Sequence, residues 1–530
     1  MRRGLQNLLV TGLMVFTLVF MGCESKPVSQ KENKKELVYA STKDIRNINP
    51  HLYGGEMAAQ NMVFESLVIN TPEGIKPWLA QSWEIQNEGK TYIFHLRKDV
   101  KFSDGSDFNA EVVKKNIDAV LANRSRHAWL ELVNEIIGSE VVDEYTYKLT
   151  LKNSYYPTLT ELAMTRPFRF IALNSFKDGA TKNGVNSYIG TGPWILSEHI
   201  KNATALFKAN PSYWGEKPKL ESIKWRVMPD HQTILLALQK GEVDLIFGAD
   251  GDMIDIDAFK VLQKEGKYTT LLSRPTASRA ILINTKQPIT HDIKVREALQ
   301  HAVNKQAIVE GILNNSETIA KTLFSPTTPY CNVKLKEYAY DLKKAGSILD
   351  KAGWKLDEKT QYRSKDGQVL SLRLYFNANN AQEKTISEYM QSNLKDIGVE
   401  LKIIGEEKQA FLDRQKSGDF DLQYSLSWGI PYDPQSYISS WRMAAHGDYQ
   451  AQLGLEKKAW LDKTIQTILI EPDEIKRQKL YDEMLTYVHD QNVYVPLSYS
   501  RTKAVFTPQL KGVSFNPSQY EIAFEKMYFE

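Results

Sequence analysis

Nine histidines are the residues of this chain best suited to metal or proton chemistry. Their spacing argues against a metal cage built by the protein itself. No two stand as HxH or HxxxH and no acidic cluster accompanies any of them, whereas a transition-metal cage needs three or four ligands from the chain. Two cysteines, Cys23 and Cys331, are too few for a disulfide framework or a cysteine-based zinc site. Motifs for covalent or nucleotide chemistry are missing: no GxSxG elbow, Walker loop or dinucleotide fingerprint stands in the right context. Gly190-Thr191-Gly192-Pro193 could pass for a phosphate loop, but Pro193 lacks the backbone N–H that such a loop uses. The chemistry on offer is that of binding, not catalysis.

The elements that must position a binding site are those of a large exported α/β protein. At roughly 150 residues per domain, 530 residues predict more than one lobe. Hydrophobic residues at 42% and charged residues at 25% exclude a disordered, collagenous or polytopic membrane protein. A formal net charge of +3 gives no electrostatic reason to expect nucleic acid. From Leu37 onward strand and helix signals alternate. Thr91 to Leu96 is a β-branched and aromatic run ahead of the turn Ser103-Asp104-Gly105. Asn109 caps a predicted helix carrying Val112, Val113, Asn116, Ile117 and Val120. Val295, Ala298, Leu299, Ala302 and Val303 share one helix face, and Asp341 caps another helix that Gly353 ends. Asp366-Gly367 opens a strand over Val369 to Leu374, Ser387 to Lys395 reads as helix, and Val399 to Ile404 as strand. Mixed α/β without internal repeats predicts two lobes with ligand space between them.

Arg2 and Arg3 precede an apolar run from Leu8 to Met21, followed by Gly22-Cys23. This is the pattern of a secretory signal, residues 1–22, and it is short for a membrane span. Cys23 resembles the lipidated cysteine of a bacterial lipobox, with Phe20 and Met21 departing from the usual types. Residues 23–36 are rich in Lys, Glu, Ser and Gln and predict a flexible tether between an acyl (palmitate-type) membrane anchor and the body. No later segment offers a membrane span. Cys331, left unpaired, is expected to be a packed, unreactive thiol.

Several stretches carry a family resemblance. Leu79-Ala80-Gln81-Ser82-Trp83-Glu84, the run Gly89 to Arg97, Val100 to Gly105, Gly190 to Trp194, Asn210 to Trp214, Gly241 to Asp244 and Val295 to Ala298 resemble the signature of family 5 solute-binding proteins. These are extracytoplasmic receptors of peptide and nickel ABC importers. The resemblance implies an α/β, two-lobed periplasmic-binding-protein-like fold with a hinge. Lobe I is then discontinuous, residues 37–275 with a return segment 501–530, and lobe II spans 276–500. The hinge strands are expected near Leu271 to Leu282 and Val495 to Val505.

Within the family, Asn49-Pro50-His51-Leu52-Tyr53, Arg124 to Glu131, Arg166-Pro167-Phe168-Arg169-Phe170 and Trp428 to Pro434 look most like the nickel-binding subgroup. That resemblance implies a cleft lined by Tyr53, Met57, Arg126, Trp129, Arg166, Trp428 and Tyr432, with His446 as the one protein ligand to the metal. The Tyr53-to-Met57 spacing is one residue shorter than in the subgroup. The implied cargo is nickel(II) arriving with an organic chelator, and no permanent cofactor. Two guanidiniums can grip the chelator's carboxylates with paired planar hydrogen bonds. Trp129 and Trp428 would sandwich a planar complex, Tyr53 and Tyr432 would add hydroxyl contacts, and neutral His446 would complete the coordination. His446 sits among small residues that read as a mobile loop.

The bland alternatives are that His446 is a surface residue, Trp129 core, Arg166 a strand cap and Tyr53 the end of a turn. His127, beside Arg126, is open as a supporting group, and the other seven histidines have ordinary structural roles. The implied partners are the permease and ATPase subunits of an importer and the membrane through the lipid anchor, with no nucleic acid and a monomeric chain. The competing readings are a receptor for oligopeptides or for a metal-loaded metallophore that does not use His446, and a peptide-sensing or chaperone-like lipoprotein.

Overall fold

Two large sheets divide the body, and the chain enters each of them more than once. The first has seven strands in the order Trp194–Ile200, Thr204–Ala209, Ser222–Val227, Glu36–Ser41, Leu245–Gly248, Lys503–Phe506 and Thr269–Leu272. Glu36–Ser41 lies in its middle, parallel to both neighbours, and Leu37, Tyr39 and Ala40 are buried on it. Lys503–Phe506 joins this sheet from near the far end of the sequence, pairing antiparallel with Leu245–Gly248 and Thr269–Leu272. The second sheet has six strands: Thr318–Ile319, Tyr494–Ser500, Ala277–Ile283, Leu422–Leu426, Ser371–Asn377 and Glu400–Glu406. A third, antiparallel sheet of four strands runs Ala80–Gln86, Thr91–Leu96, Thr146–Leu151 and Ile136–Asp143. Strict alternation of buried and half-buried residues along Thr146–Leu151 is what one covered face requires.

The two large sheets are connected by a pair of adjacent crossings. One runs from Leu272 to Ala277 and the other from Ser500 to Lys503. They are hydrogen-bonded to each other: Ser273 N–H donates to Thr502 O at 3.0 Å, and Thr276 N–H to Ser500 O at 2.9 Å. Separate apolar cores fill each large sheet. The core under the four-stranded sheet, by contrast, continues into Phe420, Tyr437, Trp441 and Tyr481 from the half that carries the second sheet. Tyr156 and Tyr481 share a hydrogen bond of 2.7 Å, and Arg442 pairs with Glu131 at 2.8 Å across the same contact.

Local chemistry sets most element ends. The Asn109 side chain accepts from Val112 N–H at the head of Ala110–Leu121, and Asp341 does the same for Lys344 at the head of Leu342–Lys351. The strand expected over Val369 to Leu374 is two: Gln368–Val369 closes a small hairpin over Asp366-Gly367, and Ser371–Asn377 enters the large sheet. Both turn residues adopt positive φ, as a two-residue hairpin of this type requires. The helix expected from Ser387 begins at Ala381, where Asn380 caps it. The computed structural model describes residues 34–248 and 253–530. The signal segment 1–22, Cys23 and most of the tether lie outside the described residues. Among the described residues no helix is long and apolar enough to cross a membrane. Cys331 is buried and free, and burial pushes its thiol pKa up.

Candidate ligand-binding site

A cavity of about 790 Å³ is lined by Tyr53, Met57, Arg126, Trp129, Arg166, Trp428, Tyr432 and His446 together. All eight residues singled out from four separate stretches therefore meet at one place. Ser125, Ala128, Leu412, Met443, Ala445 and Tyr520 complete the wall.

One side of the wall comes from residues 53–166. Arg126 and Trp129 lie in and just after the tight turn Arg124–His127, which follows Ala110–Leu121 after a short break. A three-residue separation in such a turn puts both side chains on the same side, while Leu130 points into the core. The Tyr53 segment is pinned from behind. Gln60 Nε2 donates to Asn49 O at 2.7 Å and Leu52 O at 3.2 Å, and Asn49 Nδ2 to Thr181 O at 2.8 Å. Arg166 Nη1 donates to Gly55 O at 2.9 Å.

The other side follows the strand Leu422–Leu426. Gly429 takes φ 76°, and a Cβ there would fall 2.7 Å from Thr276 O, so only glycine makes this turn. The turn aims both Trp428 and Tyr432 at the cavity, with Tyr432 N–H donating to Gly429 O at 2.8 Å. His446 is not in a free loop. It is the residue that precedes the helix Gly447–Gln452, held by its own N–H to Met443 O at 3.0 Å. Burial lowers its imidazole pKa, against a smaller opposing pull from Asp448. The ring is accordingly neutral at pH 7 and has a lone pair to offer a metal.

Two expectations change in detail. Trp129 and Trp428 do not stand apart as parallel plates: they touch edge-to-face, with centroids 5.4 Å apart and planes at 82°. The Tyr53 hydroxyl is spent on the interior, at 2.6 Å from His127 Nδ1, so Tyr53 offers the cavity its ring. Tyr432 is 6% exposed and its hydroxyl approaches Met57 Sδ at 3.8 Å. Tyr520, from the return segment, was not singled out from the sequence. Nothing in its neighbourhood there marks it, and only the fold brings it to within 6.2 Å of Tyr432.

Among the described residues no Asp or Glu lines this cavity, and neither Arg126 nor Arg166 forms an ion pair; the Glu56 carboxylate acts on Arg166 only at longer range. Desolvation costs a guanidinium free energy unless an anion compensates it, and burial does lower the Arg166 pKa. Among the described residues no group of three or more His, Cys, Asp and Glu side chains is placed to hold a metal ion.

Two sheets joined by paired crossings, with an anion-seeking cavity between the parts they carry, define a receptor for a small solute. A family model of bacterial extracellular solute-binding proteins, family 5, matches residues 74–449. The nickel-binding periplasmic protein of Escherichia coli (strain K12) is 42% identical over 494 residues, covering 93% of this chain and 94% of the relative. The dipeptide-binding protein of the same organism is 28% identical over 529 residues, covering 92% and 94%. The crystal structure of NikA from Brucella suis in complex with Fe(III)-EDTA superposes with a TM-score of 0.91 at 44% identity, covering 93% of this chain and 100% of that one. The chain belongs to family 5 of the bacterial extracellular solute-binding proteins: two-lobed, non-catalytic receptors that serve ABC importers outside the cytoplasm.

Proposed function

We propose that the receptor captures nickel(II) already held by a small carboxylate- or histidine-bearing chelator and hands it to its ABC permease and ATPase. The observation that carries this reading is the pair of guanidiniums that form no ion pair among the described residues, facing a cavity that no described Asp or Glu lines and that also holds the His446 imidazole, whose burial favours its neutral form. Arg126 and Arg166 grip the chelator's carboxylates, the indoles of Trp129 and Trp428 and the rings of Tyr53 and Tyr432 exclude water, and Met57 packs beneath. His446 supplies the single protein bond to the metal. Similarity to a protein named for nickel binding, and to a structure holding a metal chelate, supports the same reading. Calorimetry with nickel plus free histidine or citrate, on wild type and His446→Ala, tests it. Wild-type binding of both chelates by His446→Ala would defeat direct coordination.

In this reading lobe I comprises residues 37–275 and 501–530, lobe II residues 276–500, and the paired crossings form the hinge. Ligand touching both lobes favours the closed state. The chain works as a monomer tethered through lipidated Cys23. A Cys23→Ala variant should then leave the membrane fraction, and unchanged membrane association would remove the anchor from this account.

A second reading, a peptide or metallophore held without His446, draws support from an adjoining cavity of about 400 Å³. This chamber shares Met57, Leu412 and Tyr520 with the first and is lined by polar residues of both signs, among them Glu56, Asn380 and Lys408. Retained binding of a peptide or long-tailed chelator by His446→Ala, with loss of the compact chelates, would favour it.

A further inference from the structure

Tyr53 occupies an unusual place in the cavity wall. The Cζ atom of Arg126 lies 5.3 Å from its ring centroid and that of Arg166 lies 5.2 Å away, so one phenol ring meets both guanidiniums. The same ring packs edge-on against Trp129 at 5.8 Å. Its polar end faces inward, where the hydroxyl meets His127 Nδ1 at 2.6 Å and the two rings pack at 5.5 Å. His127 is 0% exposed, does not line the cavity, and neighbours Arg126 in the turn Arg124–His127.

We propose that Tyr53 and His127 are positioning residues that set the separation of the two guanidiniums, so that the site sorts chelates by the spacing of their carboxylates. The inference rests on the chelate reading and adds to it a determinant of which chelate is taken. Two like charges within reach of one ring repel each other, and an electron-rich aromatic face attracts both and offsets part of that repulsion. Arg166 has a fixed point of its own in Gly55 O, whereas the exposed Arg126 side chain meets the fold at the Tyr53 ring. The distance between the two charges therefore follows the tilt of that ring. The tilt is held through the hydroxyl, which meets His127 Nδ1 at 2.6 Å and also hydrogen-bonds the Trp129 side chain, so the phenol oxygen is tied to both residues that flank it. Deleting the hydroxyl keeps the ring but releases its angle, and deleting the ring releases Arg126 altogether.

The test is a selectivity series. Tyr53→Phe, Tyr53→Leu and His127→Leu are titrated beside wild type with nickel carried by free histidine, by citrate and by EDTA, whose carboxylates are differently spaced. Tyr53→Phe should change the ratio of affinities among the three probes by about fivefold, the worth of one hydrogen bond, and should lower the thermal midpoint modestly because buried His127 Nδ1 loses its partner. His127→Leu should shift the ratio in the same direction, and Tyr53→Leu should flatten the preference. A uniform loss across the three probes, or wild-type ratios in Tyr53→Phe, would overturn the inference and make the pair merely structural. Should His127→Leu fail to fold, Tyr53→Phe alone decides. If wild type binds none of the three probes, the chelate reading fails first and takes this inference with it.

Discussion

Arg166 and Arg169 stand three residues apart in one short motif, yet the fold uses them in opposite ways. Arg169 is 5% exposed and fully engaged behind the cavity wall: its Nε donates to Met164 O at 3.1 Å, Nη1 to Phe64 O at 2.9 Å and Nη2 to Glu521 Oε1 at 3.1 Å. Thr165 adds a hydroxyl bond to the same carboxylate, so this cluster ties the return segment to the body. Arg166 lines the cavity, donating to Gly55 O and, at 3.5 Å, to Gln60 Oε1, with no ion pair among the described residues. A guanidinium whose three nitrogens all donate within the protein, one of them to a carboxylate, stabilises the fold, whereas one without an ion pair at a cavity has binding energy in reserve. The two regions of the molecule, the interior and the wall in front of it, differ in whether the protein supplies the counter-charge.

Substitutions should separate the two regions. The largest effect is expected inside. Arg169→Ala leaves the Glu521 carboxylate with the Thr165 hydroxyl but without its cation, removes a donor from two carbonyls, and should cost about 3–5 kcal/mol in urea unfolding, the range for breaking a buried pair. Arg166→Ala should leave the unfolding curve nearly unchanged and instead weaken chelate binding by about 1.5–3 kcal/mol, with Lys an incomplete substitute because it cannot form a planar fork. If Arg166→Ala melts early and binds normally, the contrast is wrong. His446→Ala should weaken nickel-chelate binding at neutral pH by at least about tenfold, the low end of what disturbing a metal ligand's surroundings costs. That loss should vanish when the chelator already saturates the metal's coordination.

Glu161 sharpens the same contrast from the side of the anion. It is buried, accepts from Tyr155 O–H at 2.7 Å, Leu132 N–H at 3.1 Å and Ser436 O–H at 3.2 Å, and has no cation among these partners. Burial pushes its pKa up to about 8, with its hydrogen bonds opposing in part. The folded protein therefore keeps a proton that the unfolded chain loses above about pH 4.3. Stability from this group is full below that value and falls as pH rises towards about 8, by at most about 1.4 kcal/mol per pH unit. Glu161→Gln should flatten that part of the stability profile, read from denaturant midpoints between pH 5 and 8. An unchanged profile would show that Glu161 does not titrate there.

Much of the local structure was legible in residue order because its causes are local. Asn109 and Asp341 cap helices with their own side chains, and Thr91–Leu96 forms a strand over the residues its β-branched and aromatic run marks. The hairpin at Asp366-Gly367 was legible, but the break after Val369 was not. Leu370 is fully buried and turns the chain from an exposed small sheet into the large one, a choice made by the core. The helix over Ala381–Lys395 was read late, because the polar run before it hides the Asn380 cap. The His446 segment reads as a loop from its small residues. In the fold Asp448 is buried, accepting from Tyr437 and Tyr494 hydroxyls at 2.7 and 2.8 Å, and that anchors the helix His446 precedes.

By itself the sequence determined which residue types are available for binding: two arginines, a histidine and several aromatics, in stretches that resemble one family, with no HxH or HxxxH pair among its histidines. Side-chain chemistry and caps act over a few residues, so their order along the chain suffices. Tertiary structure alone decided which arginine is spent and which is kept, that two indoles meet edge-to-face, that Tyr53 turns its hydroxyl away from the cavity, and that Tyr520 closes the wall. It also placed Lys503–Phe506 against Leu245–Gly248 in the seven-stranded sheet. Each of these depends on contacts between residues tens to hundreds of positions apart, where burial and pairing, not periodicity, choose the partner.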